Sequence, residues 1–517
     1  MAGTEAHTRT GPPRRDRYDV AVVGAGLGGL TAAALLAHAG RQVVVFEQAD
    51  GCGGYAHAFR SGPYTFDPAI HVFPQGYDGA LPDALLRHLG VREECRLIPI
   101  PENYSAVFPD LVIRTPYGLE PFIEAHARLF PSEREAIERF FRLCRQVHLE
   151  AHQLPPRIGL ENLDAIAHRF PVLVRYLRAT VSEVLDEHFT DTRVKGVCAA
   201  MWPYPGTPPH RLSFVTFATT VSVYLDGGTY CAGSFQSLAD AFATAAERHG
   251  GEIVCNASVE HIDVEQGRAT GVTTANGWSV GADVVISAAD ARSTFETMVG
   301  AEKLPDRFMR RLRRMTPSLS AVLLFCATSL DLAGADLGCE IFRPRSYDHE
   351  DTYQDILDGR PGGTWASIPT LLDPSLAPAG EHTITLSSMA AYDIGRPWDQ
   401  EIERFGEQLL ADFEVVFPGL RSSLTFMQTA TPLTLERFCR NAGGAAYAWE
   451  NTPAQTGGRR SPHDTPIDRL LLCGHWSQPG SGSLRAIVSG LHAAVIAQAT
   501  SGAEPLDFEH ADMPPAT

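Results

Sequence analysis

A short apolar run, a glycine turn and an alanine-rich stretch between Asp19 and Gly54 restrict what this chain can fold into more than any other part of it. The order is a strand over 20–23, the turn Gly24-Ala25-Gly26-Leu27-Gly28-Gly29, a helix over 27–39, a strand over 43–46 and a carboxylate at Glu47. That is a βαβ unit with a glycine fingerprint at its first turn. Gly24 permits the tight turn, Gly26 lets the backbone approach a pyrophosphate, and Gly29 lets the helix lie close on the strand, so that the helix N-terminus receives negative charge. Glu47 stands where an acid accepts hydrogen bonds from both hydroxyls of a ribose and repels a 2′-phosphate. The ligand implied is a dinucleotide. With a second glycine pair, Gly53-Gly54, close behind, the unit looks like one that binds flavin rather than nicotinamide.

At 517 residues, 44% of them hydrophobic, the chain can bury more than one core, and two domains are expected. A net charge of −18 speaks against a nucleic-acid partner. The ten cysteines are scattered, with no CxxC and no metal-ligand spacing, and read as small buried thiols in a reducing compartment. Residues 1–17 are polar and are expected to be a disordered tail rather than a secretory signal. No apolar run is long enough to span a bilayer, so a cytoplasmic location is expected, with peripheral membrane contact left open.

After Gly54, alternation at Tyr64, Phe66 and Ile70 suggests short strands returning toward the ligand, and makes His57 and His71 candidates to face a flavin ring. From 79 to 209 the apolar spacing is helical, over 81–89, 121–130, 132–154, 163–170 and 181–189, with Ser132 and Glu135 as a capping box. A helix over 238–249 precedes strands over 252–255, 259–264 and 269–273. The run 283–290 reads as a buried parallel strand that rejoins the first unit. A basic helix carrying Arg307, Arg310, Arg311, Arg313 and Arg314 follows, a docking surface for anionic lipid or an acidic carrier protein if it is more than a solvated face. Next come a strand over 319–326, an irregular loop over 343–363, a strand over 383–389 and a helix over 398–417. Residues 470–482, Leu470 through Gly482, are again strand, glycine turn and helix N-terminus, suited to the electron-rich edge of a reduced flavin.

In this order the motifs resemble the FAD-dependent oxidoreductases of the phytoene desaturase, carotenoid isomerase and retinol saturase type, over nearly the whole chain. The likeness rests on Gly24, Gly26, Gly29, Glu47, Gly53 and Gly54, on Phe66-Asp67 with His71, and on Asp226-Gly227-Gly228 with 236–239. It rests also on 282–290, on 431–438, on Gly443-Gly444 with Tyr447, and on the turn from Gly474 to Gly482. It implies an α/β fold: a discontinuous Rossmann-like FAD-binding domain (18–78, 225–300 and 465–502) and an inserted α+β substrate domain with a helical region (79–224 and 301–464), between tails 1–17 and 503–517. It implies noncovalent FAD, with Glu47 on the adenosine ribose, the Val259 backbone on adenine and residues 480–484 beside the isoalloxazine. Cofactor contacts are expected at Gly24, Gly26, Leu27, Gly28, Gly29, Glu47, Gln48, Gly53, Gly54, Val259, Ala289, Gly474, His475, Gly480, Gly482, Ser483 and Leu484.

A carbon-bound hydrogen on an unactivated chain is too weak an acid for a side-chain base, so hydride transfer to flavin is the accessible route, and an apolar polyene or a carrier-tethered polyene acyl chain is the substrate that best spreads the developing charge. His57, His71, Tyr447 and Trp476 are expected to line the reacting region, with no general base assigned. Desaturation, reduction and isomerisation share this geometry. An amine oxidase of the same fold would carry a lysine on the strand near 319–324, and this chain has only Lys195 and Lys303. A flavin-free lipid-binding escort is the remaining alternative, against which the late glycine turn argues.

Overall fold

The computed structural model describes residues 10–75, 77–153 and 167–506. The first half of the helix expected over 163–170 lies outside the described residues, as do most of the first tail and the end of the last. Six strands follow one another in a first sheet as Glu252–Val254, Val43–Phe46, Arg17–Val23, Ser279–Ser287, Arg268–Thr274 and Val259–Glu265, and Leu470–Leu472 pairs with Ser279–Ser287 as a seventh. Widely separated stretches therefore meet in register: Val20 faces both Val43 and Val284, and Ile286 faces Leu471, all in parallel. Parallel strands are covered on both faces and read as continuous apolar runs, and Val43–Phe46 is buried at every position.

The helix Leu27–His38 packs on this sheet and is buried on nearly all sides, which its alanines allow. The last helix, Ser483–Thr500, crosses it where both are reduced to glycine: a Cβ at Gly490 would lie 2.3 Å from the Gly28 carbonyl oxygen. Gln236–Arg248 completes this apolar layer. Among the described residues no helix is long and apolar enough to cross a membrane.

A second seven-stranded sheet runs Leu424–Ala430, Ser320–Thr328, His382–Ala390, Thr364–Ser367, Glu340–Arg343, Tyr104–Val107 and Val112–Thr115. Its last two strands correct the expectation of helix throughout 79–209. They form a hairpin in which Val112 and Arg114 face out while Ile113 and Thr115 are buried, a two-residue alternation in a stretch read at helical spacing. Leu97–Pro99 is likewise a strand, paired with Gly228–Cys231. The capping box at Ser132 and Glu135 is also corrected. A 3₁₀ turn, Pro131–Glu133, absorbs Ser132, and the helix Arg134–His152 starts after it without a side-chain cap. A capping box does form at Thr180 and Glu183, where Val181–His188 begins. The loop expected over 343–363 contains the helix His349–Leu357, started by Asp348 accepting from the Glu350 amide at 2.9 Å. The helices Leu119–Leu129, Arg134–His152, Val181–His188 and Phe214–Leu225 share one core built on Phe122, Phe140, Phe141 and Phe217.

Candidate active site

The glycine turn after Arg17–Val23 has the geometry its residues call for. Gly24 takes φ +94°, its amide donates to the Phe46 carbonyl at 2.8 Å, and a Cβ on Gly29 would sit 2.1 Å from the Gly24 oxygen. A Cβ on Gly26, by contrast, would meet nothing within 4 Å, so the space beside it is open. The opening amides of Leu27–His38 have no intrahelical partner and face that space. The second glycine pair closes over the turn: Gly53 donates to Ala25 at 2.8 Å, and a Cβ on Gly54 would lie 3.2 Å from the Gly26 Cα.

Glu47 is buried at the end of Val43–Phe46. Its Oε2 accepts from the Ala25 amide at 2.7 Å and its Oε1 from the Ala49 amide at 2.9 Å. A carboxylate has about four lone-pair positions, so roughly two remain for a vicinal diol. Burial pushes this carboxyl above the usual carboxylate range, and the backbone donors and the nearby Arg440 charge oppose the rise.

The late turn meets the first one directly. A Cβ on Gly28 would be 2.8 Å from the Gly474 Cα, and Gly474 is held by its amide donating to Ser489 Oγ at 2.9 Å. Two helix N-termini thus open onto one cavity of about 690 Å³. Its floor is the glycine cradle with Glu47, Gln48, Val259, Ala289 and Asp290. Its far wall comes from the second sheet and the helical region: Ala321, Leu323, Trp365, Met389, Tyr204, Tyr224 and Tyr447. Tyr204 and Tyr224 stack with centroids 4.9 Å apart. Behind them Glu340 is fully buried, receives hydrogen bonds from Ser367 Oγ (2.5 Å) and Tyr204 Oη (3.3 Å), and is pushed up to about 8 by burial.

Of the residues singled out in the sequence, Gly24, Gly26, Leu27, Gly28, Glu47, Gln48, Gly53, Gly54, His71, Val259, Ala289, Tyr447, Gly474, His475, Gly482 and Ser483 line this cavity. Five do not. Gly29 packs against the strand turn, Leu484 packs into the apolar layer around the first helix, and Gly480 lies against the Arg485 side chain. His57 is turned aside, its Nδ1 2.6 Å from the Gly54 carbonyl and its ring stacked on Phe438. Trp476 is 1% exposed, packed edge-on to Trp449, with Nε1 donating to Asn441 Oδ1 at 2.9 Å. Neither His57 nor Trp476 therefore faces the space where a reaction would occur. Burial holds His71 at about 4 and, with help from Arg460, His475 at about 3, so both imidazoles are neutral at pH 7.

The Phe66-Asp67 pair is an anchor. Asp67 accepts from Tyr230 Oη and, at 2.9 Å, from the Phe235 amide, which ties the segment carrying His71 to the strand Gly228–Cys231. Burial raises this carboxyl to about 7. Among the lining residues that the sequence reading did not single out are Tyr204, Tyr224, Arg440 and Asn441. Arg440, at φ +50° and bonded to Ser258 Oγ at 2.7 Å, lies two residues beyond the 431–438 motif and could have been found by reading that much further.

A cradle of amides with an open position at Gly26, a buried carboxylate with spare lone pairs and a second helix N-terminus across the cavity define a dinucleotide-binding flavoprotein oxidoreductase, and the residues fit FAD. The chain belongs to the flavin-containing amine oxidoreductase family, which it matches over residues 27–497. It is 27% identical to prolycopene isomerase 1 of an Oncidium hybrid cultivar, across 95% of this chain and 85% of that one. It is 26% identical to the neurosporene-forming phytoene desaturase of Rhodobacter capsulatus, across 91% and 92%. In fold it is similar to an oxidoreductase from Methanosarcina mazei, at a TM-score of 0.65 and 18% identity over 92% of this chain and 99% of that one. The protein is an FAD-dependent oxidoreductase related to the carotenoid desaturases and isomerases.

Proposed function

We propose that the enzyme acts on C–C and C=C bonds of an apolar polyene, free or tethered as an acyl chain to a carrier protein, with desaturation as the reaction. The observation that carries this reading is the continuity of one cavity from the glycine cradle to a wall of Ala321, Leu323, Trp365 and Met389. When bound, FAD supplies the two-electron acceptor for a hydride leaving carbon. The chain's own part is to hold and dry the substrate. Glu47 takes the ribose hydroxyls, the Val259 backbone meets adenine, and the amides after Gly24 and after Gly482 receive the pyrophosphate and the electron-rich ring edge. The apolar wall would exclude water and hold an extended chain against the bound flavin, with His71 and Tyr447 as lining residues of the same cavity. Neutral His71 and His475 place no cation beside that chain.

The named relatives isomerise or desaturate carotenoids, which agrees with this reading. Amine oxidation is disfavoured because neither lysine reaches the cavity: Lys195 pairs with Asp186 at 2.5 Å, and Lys303 lies in an exposed turn. The test is anaerobic mixing of holoenzyme with conjugated polyenes and their more saturated analogues, following the flavin spectrum and product mass. Bleaching with a product lighter by two hydrogens supports desaturation. Unchanged mass with altered double-bond geometry makes the enzyme an isomerase, a gain of two hydrogens by reduced enzyme makes it a saturase, and bleaching by amines alone overturns the polyene reading.

A further inference from the structure

We propose that Arg440 is the counter-ion of the FAD diphosphate, supplied by the segment that crosses over the glycine cradle rather than by the cradle itself. The inference rests on FAD as the cofactor and not on the polyene reading, which stands or falls separately.

Val43–Phe46, Arg17–Val23 and Ser279–Ser287 lie side by side in that order and run parallel, so their carboxyl ends share one edge of the sheet, with the glycine turn in the middle. Ligands of open α/β sheets sit outside that edge. Residues 438–442 cross it. The Phe438 carbonyl accepts from Gln48 Nε2 at 3.1 Å, just beyond Val43–Phe46, and the Ala442 amide donates to Asp290 Oδ2 at 2.9 Å, just beyond Ser279–Ser287. Arg440 is the midpoint of this span. It lines the cavity, as do Gln48 and Asp290, and its Nη1 donates to Ser258 Oγ at 2.7 Å. Among the described residues its side chain has no other polar partner, so most of the guanidinium fork is free. Its φ of +50° ends the helix Pro432–Cys439 in a left-handed conformation, where glycine is the unstrained choice, so the arginine is kept against the preference of its own backbone.

Charge decides what this fork takes. Arg440 is the only arginine or lysine among the described residues that line the cavity, whereas Glu47, Glu260 and Asp290 are carboxylates. The two helix N-termini offer about half a positive charge each. A diphosphate is doubly negative, so the cradle by itself leaves it undercompensated, and the buried Glu47 adds to the repulsion. A planar guanidinium recognises phosphate oxygens in pairs and supplies the missing charge. Arg440 is exposed to solvent on its outer side, which screens the pair and sets the size of the effect at about tenfold.

The test strips flavin from the full-length chain and titrates it with FAD, with ADP and with adenosine. ADP carries the diphosphate and adenosine does not, so the ratio of their affinities isolates the charge. The unaltered chain should bind ADP about tenfold or more tightly than adenosine, and its affinity for FAD should fall as salt rises. Arg440→Met should weaken FAD and ADP about tenfold, leave adenosine unchanged and flatten the salt dependence. Arg440→Gln, which keeps a donor for Ser258 without the charge, should do the same, and carries the comparison if the methionine variant does not fold. Arg440→Lys should recover part of the ADP preference. Thermal unfolding of each stripped chain shows that it is folded. Equal weakening of ADP and adenosine makes Arg440 a structural latch and overturns the proposal. So does an ADP preference that survives in Arg440→Gln, or one that the unaltered chain never shows, and in each case the polyene reading is untouched.

Discussion

The two ends of the cavity are built by different means. The cradle end is nearly all backbone: amides after Gly24, the covering pair Gly53-Gly54, and one carboxylate, Glu47, itself held by amides. The far end is nearly all side chain, with phenols from Tyr204, Tyr224 and Tyr447 and apolar groups from three strands of the second sheet. The backbone end has no room for an added atom at Gly28, Gly29 or Gly53, because its geometry is fixed by turns. A side-chain site can be re-cut residue by residue, so under the proposed function the difference separates what would bind the cofactor from what would select the substrate.

The sharpest way to break this contrast is Gly29→Ala. The new Cβ, 2.1 Å from the Gly24 oxygen, forces the helix off the strand, and a loss of about 3 kcal/mol or more in stability, with loss of flavin, is expected in thermal unfolding. At the far end the largest effect depends on pH. Glu340 titrates near 8 folded and roughly 4.3 unfolded. Between those values the unfolded chain gives up its proton first, so the contribution of Glu340 to stability is fully present below about pH 4.3 and declines as pH rises toward 8. Glu340→Gln should flatten that decline, a gain on the order of a few kcal/mol at pH 8 by denaturant titration, with flavin content unchanged. If flavin is lost as well, the two ends are not separable.

Glu47→Ala should weaken FAD binding about tenfold to a hundredfold, read by flavin retention on dilution, because hydrogen bonds to a charged acceptor are each worth about 1.5–3 kcal/mol. The smallest effect belongs to Trp476→Phe. It removes the bond to Asn441 and should cost about 1 kcal/mol in stability while leaving the flavin spectrum and turnover in place. A collapse of turnover at normal stability would return Trp476 to the reacting region.

The same contrast explains what could be read from the sequence. The cradle is contiguous, each glycine having a local reason to be there, so strand, turn, helix and acid were legible before any coordinate. The parallel run at 283–290 was legible too, since continuous burial leaves a continuous apolar string. Tyr204 and Tyr224 carry no such mark. Tyr224 stands on the helix Phe214–Leu225 and Tyr204 in a turn before it, they meet only through tertiary packing, and nothing local distinguishes them from core tyrosines. His57 and Trp476 failed for the converse reason: they neighbour the right turns in sequence, but His57 is drawn back by the Gly54 carbonyl and Trp476 is sealed against Trp449. The hairpin Tyr104–Val107 and Val112–Thr115 was lost among helices because its strands are four residues each, too short for alternation to outweigh the surrounding spacing.

The contact between Gly28 and Gly474 has a consequence for how the protein is made. The cradle's first half leaves the ribosome almost at once, yet its closing face is still hundreds of residues from being translated. The growing polypeptide therefore carries an unfinished pocket through most of its synthesis, and a chain stopped before its final helix is expected not to retain flavin, which flavin content of the truncated protein would check.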